Sequence, residues 1–199
     1  MQQLEAVNGF VVHQQKEWGE ILTGFETKNK YAVLDPQGQP LLLAAEEGGS
    51  FLLRNFLKSA RPFTIHVLDA SGQAVLRMHR PFRFYFHKLD VFDAGGTLLG
   101  TIQKRFTLAR RIYSVLDPAG EEVFQLFGPL LHPWTFEVRV DGRPIGKIVK
   151  KWSGLTKEAF TDADNFGAGF PADLDVRAKA LLLGAVFLID FVHFERTGN

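Results

Sequence analysis

Apolar and polar residues alternate along most of this chain, and then the rhythm changes once, near the C-terminus. In TFEVRV, Phe136, Val138 and Val140 fall on one side and Thr135, Glu137 and Arg139 on the other; in FTIHVL, Phe63, Ile65 and Val67 oppose Thr64 and His66. A period of two belongs to a β-strand with one buried and one wetted face. The apolar runs are punctuated by DPQG at 35–38, DASG at 69–72, DAGG at 93–96, DPAG at 117–120 and a shorter DG at 141–142. Asp at the first turn position accepts bonds from backbone N–H groups, Pro presets the second, and Gly takes the open conformation at the fourth. Each unit predicts a β-hairpin, and the 24-residue intervals from Asp69 to Asp93, Asp117 and Asp141 mark an internal repeat of hairpins.

The change of rhythm comes in Asp175–Glu195. From Ala180 to Ile189 nothing is charged and no face is left polar, so a helix here must be enclosed by lipid or by protein. A bilayer core asks for about 20 consecutive apolar residues. This run is bounded by Lys179 and Asp190, with His193, Glu195 and Arg196 close behind, which favours burial in protein over a single-pass C-terminal anchor. Hairpins that need a filling and a helix that needs enclosure satisfy one another. The pattern predicts a mainly β fold, a closed or nearly closed sheet of about ten or twelve short strands curled around the apolar helix at 176–192. Lys179 and Asp190 are expected to reach water at the two barrel mouths. The stretch HQQKEWGEIL predicts a short helix, and residues 46–62 read as an amphipathic basic connection that caps one barrel end or lies at a membrane surface.

Composition narrows the class. A chain of 199 residues suits one domain, 1–199, and an apolar fraction of 46% with 23% charged residues excludes general disorder. The absence of cysteine removes disulfides, thiolate metal sites and thioester lipid anchors. The opening MQQLEAVNGF has no basic region leading into an apolar one, which makes the cytoplasm, with peripheral membrane contact, the expected location.

The net charge of +1 conceals segregation. Between Arg61 and Arg111 only Asp69, Asp90 and Asp93 oppose a run of basic residues, and a second cluster falls at Lys147, Lys150 and Lys151. Candidate ligands for lipid or phosphate groups are Arg54, Lys58, Arg61, Arg80, Arg83, Lys104, Arg105, Arg110, Arg111, Lys150 and Lys151. An anionic phospholipid or membrane surface is the expected partner. Nucleic acid competes, because RPFRFYFHK interleaves Arg with Phe and Tyr as a stacking platform does. Phe82, Phe84 and Phe86 also have strand periodicity, however, which predicts them in the core. No protein partner is identified.

Catalytic constellations are missing from the sequence. The six histidines are scattered, none in an HExxH or HxxxH pair, and GxSxG, GxGxxG after a strand and GxxxxGK[ST] do not occur. The segment TDADNFGAGFPAD, 161–173, leaves two readings open. With Asp162 as position 1, Asp164, Gly167 and Asp173 fall at 3, 6 and 12 of an EF-hand-like loop that would hold a weak Ca²⁺. Alternatively, Asp162, Asp164 and Asn165 form side-chain turns while Asp173 or Asp175 caps the helix.

Three stretches, KWSGLTKEAFTDADNFGAGFPADLDVRAKALLLGAVFLIDFVHFE at 151–195, LTGFETKNKYAVLDPQGQPLLLAAEE at 22–47 and RPFTIHVLDASGQAVLRMHRP at 61–81, resemble the phospholipid scramblase family. The resemblance implies the fold shared with Tubby C-terminal domains and plant LURP-one-related proteins, a single closed β-barrel of about 12 mostly antiparallel strands wrapped around a buried hydrophobic C-terminal α-helix, here at about 174–192. It also implies energy-independent, calcium-stimulated exchange of phospholipids between leaflets, with a calcium segment on Asp162, Asp164, Phe166, Ala168, Phe170 and Asp173. The chain departs from the better-known members at 48–64, GGSFLLRNFLKSARPFT, where they carry a cysteine-rich run. The expected function is calcium-influenced phospholipid binding or transbilayer movement at a membrane surface. The alternative is a non-catalytic binding or signalling module that recognises a protein or nucleic acid through its basic surface.

Overall fold

Each Asp-x-x-Gly segment closes a hairpin in the computed structural model, which describes residues 1–15, 27–47, 61–108, 110–150 and 165–193. In the four long turns the Gly N–H donates to the Asp carbonyl at 3.0–3.1 Å. The Asp Oδ1 accepts from the N–H of Gln39, Gln73, Thr97 or Glu121, four positions on, at 2.8–3.0 Å. The fifth turn has only two residues, and Asp141 and Gly142 both take positive φ, 49° and 76°, as a mirror-image hairpin turn requires. Beside each turn the ladder slips, at Val33/Leu34, Val67/Leu68, Val91/Phe92, Val115/Leu116 and Val138/Arg139. Such bulges add local twist, which helps a sheet to curl closed.

The described strands are β1 (Gly9–Gln15), β2 (Thr27–Leu34), β3 (Pro40–Glu47), β4 (Phe63–Leu68), β5 (Ala74–Arg80), β6 (Lys88–Asp93), β7 (Leu98–Lys104), β8 (Arg111–Leu116), β9 (Glu122–Gly128), β10 (Thr135–Val140), β11 (Arg143–Lys150) and β12 (Asn165–Gly169). They form a closed barrel in which each strand pairs with its sequence neighbours. The ring closes between β1 and β12, antiparallel from Gly9↔Gly169 to His13↔Asn165. His13 to Gln15, part of the stretch predicted as a short helix, instead continue β1; residues 16–26 and the connection 48–60 lie outside the described residues.

Inside the barrel runs α1 (Val176–His193), buried from Ala178 to Ile189 and again at Phe191 and Val192. Asp175 starts it as an N-cap, its Oδ1 accepting the Arg177 N–H at 2.8 Å. The helix lies close against the wall at Gly184, where an added Cβ would lie 2.8 Å from Val91 Cγ2 and 3.2 Å from Ile102 Cδ1. Gly100 makes the reciprocal opening on β7: a Cβ there would sit 3.0 Å from Leu181. Among the described residues no helix is long and apolar enough to cross a membrane.

One expectation about the helix is corrected. Lys179 does not reach water; its exposure is 0%. Its Nζ donates to the carbonyls of Glu5 and Ala172, 2.7 Å each, and so ties the N-terminal turn to the start of α1. Burial lowers its pKa, while Asp173, Glu5 and Asp175 act in the opposite sense. Asp190, at the other end, is half-buried.

The outer wall is polar. Glu137 receives Arg139 at 2.6 Å, Arg77 stacks 4.3 Å from the Phe92 ring, and Thr101 donates to Asp90 at 2.6 Å. A barrel that faces lipid has the reverse pattern, apolar outside and polar within.

Candidate functional site

An antiparallel meander places its odd-to-even connections at one end and its even-to-odd connections at the other. All five short turns therefore share one end, called here the turn end, and the longer connections share the opposite, loop end. With strands of five to eight residues, the two are roughly 20 Å apart. The turns DPQGQ, DASGQ, DAGGT, DPAGE and DG each bring an Asp and no Lys or Arg. The described loops 81–87, 105–110 without 109, and 129–134 bring Arg83, Arg105 and Arg110 and no Asp or Glu. Among the described connections, carboxylates fall on the short turns and Arg on the longer loops.

The predicted basic residues divide into two groups. Arg83, Arg105 and Arg110 are exposed at the loop end, and Lys104, Arg111 and Lys150 are half-buried at the strand ends that flank them. Arg111 shapes the surface rather than offering its charge. Its guanidinium donates to the carbonyls of Pro129, His132 and Pro133 and stacks 4.7 Å from the Phe136 ring. Burial lowers its pKa. Arg105 reaches along the wall to within 3.8 Å of Glu122, and Lys150 Nζ stands 5.4 Å from the Phe166 ring.

Arg61 and Arg80 do not belong to the surface group. Both are buried, and both guanidinium groups lie 4.5 Å from the Phe191 ring near the C-terminus of α1. Arg61 pairs with Glu46, which also accepts from Asn29 at 2.6 Å; Arg80 contacts His87 Nδ1 at 2.6 Å. Two cations at a helix C-terminus complement the partial negative charge of its last carbonyls. Arg54, Lys58 and Lys151 lie outside the described residues.

A second correction concerns the aromatic run. Phe82, Phe84 and Phe86 are exposed, because residues 81–87 are the β5–β6 connection and not strand. The signal was in the repeat: with hairpins ending near Arg80 and resuming near Lys88, the intervening residues had to be a connection. Phe86 sits at φ 52°, a left-handed conformation that costs energy for a bulky side chain.

Between these loops and the wall lies a groove of about 340 Å³ lined by Phe86, Gln103, Lys104, Arg105, Phe106, Ser114 and Leu116. Two cations, a hydroxyl and two rings suit a phosphate ester with an apolar neighbour. A similar hollow at the turn end, about 360 Å³, is lined by Asp69 and Asp93 and would repel phosphate.

The described part of the acidic segment, from Asn165 on, is strand and helix lead-in. Asn165–Gly169 is strand β12, whose backbone is paired on both sides by β1 and β11, and Phe166, Ala168 and Phe170 are in the core. Asp173 is exposed at the turn end. Asp162 and Asp164 lie outside the described residues. Among the described residues, no group of three His, Asp or Glu side chains gathers to hold a metal ion.

The Scramblase family profile matches residues 1–196. Phospholipid scramblase 1 of Mus musculus is 37% identical over 213 residues, covering 100% of this chain and 65% of the mouse protein; the chain thus spans just under two thirds of that relative. Phospholipid scramblase 2 of Homo sapiens is 34% identical and is covered over 71% of its length. An Arabidopsis thaliana protein solved by X-ray crystallography shares the fold, with a TM-score of 0.54 at 14% identity, over 94% of this chain and 96% of that one.

Proposed function

The chain belongs to the scramblase family, and from that premise we propose that it is a peripheral phospholipid-binding barrel that engages anionic headgroups with its loop end. The observation that carries the reading is the segregation of charge among the described connections: three loops without a carboxylate, two of them bearing Arg83, Arg105 and Arg110, at one end, and five Asp-bearing turns at the other. Arg83 and Arg110 attract the phosphate layer. Lys104 and Arg105, with the Ser114 hydroxyl, offer donors to a single phosphodiester in the groove between Phe86 and Phe106.

Binding, rather than conduction, is the chemistry this barrel supports. A headgroup crossing an apolar layer of roughly 30 Å needs a polar path. Here the axis is filled by α1 and the outer wall carries charges. A calcium contribution is proposed through the carboxylates Asp162, Asp164 and Asp173, since the side chains of Phe166, Ala168 and Phe170 are committed to the core.

Cosedimentation with neutral and with phosphatidylserine-containing vesicles, at about 0.15 M salt and at higher salt, tests this directly. The expected result is binding to the anionic vesicles that weakens as salt rises. No binding to anionic vesicles sinks the proposal, and binding to oligonucleotides in its place supports the nucleic-acid alternative. Repeating the assay with calcium and with a chelator, and with Asp162→Asn/Asp164→Asn, reads out the calcium part separately.

A further inference from the structure

The three described loops at the loop end share a second property besides the lack of carboxylates: their tips are apolar and stand in water. Phe84, Tyr85, Phe106, Leu108, Leu130 and Leu131 are all exposed, Leu108 to 97% and Leu131 to 88%. Single exposed apolar residues are ordinary on a soluble surface, but a cluster confined to one end marks an interaction site. The loops are also held in shape. Arg111 gathers three carbonyls of 129–134, Thr107 Oγ1 donates to the Arg110 carbonyl, and Phe86 packs on Phe106 across two loops at 6.4 Å. The backbone strain at Phe86 is kept by these neighbours.

We infer that this end is an interfacial docking surface whose loop tips penetrate an anionic bilayer, so that the barrel stands end-on with its turn end facing water. The inference rests on the phospholipid-binding reading and adds to it the orientation and the inserting residues. The occupant is a bilayer and not a folded protein because of how charge and apolarity are layered. The most exposed apolar residues occupy the interiors of the loops, Arg83 and Arg110 share those loops with them, and Lys104 and Arg105 line the groove at the strand end. That is the order of acyl chain and phosphate met on approaching a membrane, and it matches the shallow insertion, about 5–10 Å, of interfacial segments. The acidic turns reinforce the orientation. At roughly 20 Å from the loop end they lie about two Debye lengths away at physiological salt, so they do not oppose docking in this pose, while any tilt that lowers them toward the surface is repelled.

Because the chain has no cysteine, single labelled positions report unambiguously. An environment-sensitive dye is placed in separate variants at Leu108→Cys, Leu131→Cys and, at the turn end, Ala119→Cys. Vesicles of phosphatidylcholine with phosphatidylserine are then added to each full-length protein. The inference expects a blue shift, and quenching by spin-labelled lipid, at 108 and 131 and neither at 119. It also expects Leu108→Ser/Leu131→Ser to weaken vesicle binding by roughly a hundredfold, about tenfold for each leucine withdrawn, with an unchanged melting temperature because both side chains are exposed. Sedimentation with vesicles but no shift at 108 or 131, or a shift at 119 instead, overturns the end-on pose and leaves lipid binding standing. Failure to sediment at all overturns both, and capture of oligonucleotide by the same end points to nucleic acid as its occupant.

Discussion

Acid should loosen this barrel through one histidine. His193 ends α1 at the loop end, where the Tyr113 hydroxyl lies 2.8 Å from its Nε2 and the ring of Phe136 lies 5.7 Å from its own. Burial, with the nearby charges of Lys104 and Arg111 and with His87, pushes its pKa from 6.5 down to about 3. In the unfolded chain the same imidazole titrates near 6.5. As pH falls below that value the unfolded state binds a proton that the folded state refuses, so the stabilisation present above 6.5 is lost progressively toward 3. The slope is about 1.4 kcal/mol per pH unit, which amounts to roughly 2 kcal/mol between pH 6.5 and 5. Urea unfolding of wild type and His193→Phe at about pH 7.5, 6.5 and 5 isolates the effect. The Phe ring keeps the packing but leaves the buried Tyr113 hydroxyl without this partner, so the variant should be about 1–3 kcal/mol less stable at pH 7.5. That gap should shrink by roughly 2 kcal/mol at pH 5, because carboxylates titrate in both proteins and residue 193 in only one. A gap that does not change with pH refutes the reasoning, as does an NMR titration of His193 with its midpoint in the ordinary range.

Three further substitutions probe the frame that presents the loop end. Gly184→Val drives side-chain carbon into Val91 and Ile102 where the helix lies against the wall and should cost about 1–3 kcal/mol in denaturant melts. Glu46→Gln removes the carboxylate charge that pairs with the buried Arg61 beside Phe191; a loss of up to about 3–5 kcal/mol is expected in denaturant melts, and a neutral outcome would show that this pair does not contribute to stability. Arg111→Ala releases the carbonyls of Pro129, His132 and Pro133. Limited proteolysis should then cut within 129–134 sooner than in wild type, at a stability loss of about 2 kcal/mol.

The hairpins were legible because an Asp-x-x-Gly turn is a local device: the Asp carboxylate, the Gly φ and the bonds they make lie within five residues. The helix was legible for a related reason, since a run without a polar face has to be enclosed whatever encloses it. Less of the candidate site could be read. Charge at Arg61, Arg80, Arg83 and Arg110 looks alike in a sequence, yet the first two close over the end of α1 and the last two meet solvent. Lys179 seemed bound for water until the N-terminal turn was seen to bring the Glu5 carbonyl to it, 174 positions away. The alternation at Phe82, Phe84 and Phe86 imitated a strand, and only the pairing of β5 with β6 shows that those residues lie beyond the ladder.

By itself, then, the sequence determined the repeated hairpins, the helix that must be covered and membership of a family. It did so because turn chemistry, side-chain period and the length of an apolar run are properties of neighbouring residues. Which connections gather at which end, which cations are sealed inside and which rings are left standing in water were decided only when twelve strands closed into one ring. Closure is a long-range event. It places β1 beside β12 and collects loops from across the chain at one mouth, and no local rule states the charge or the apolarity of the surface that results.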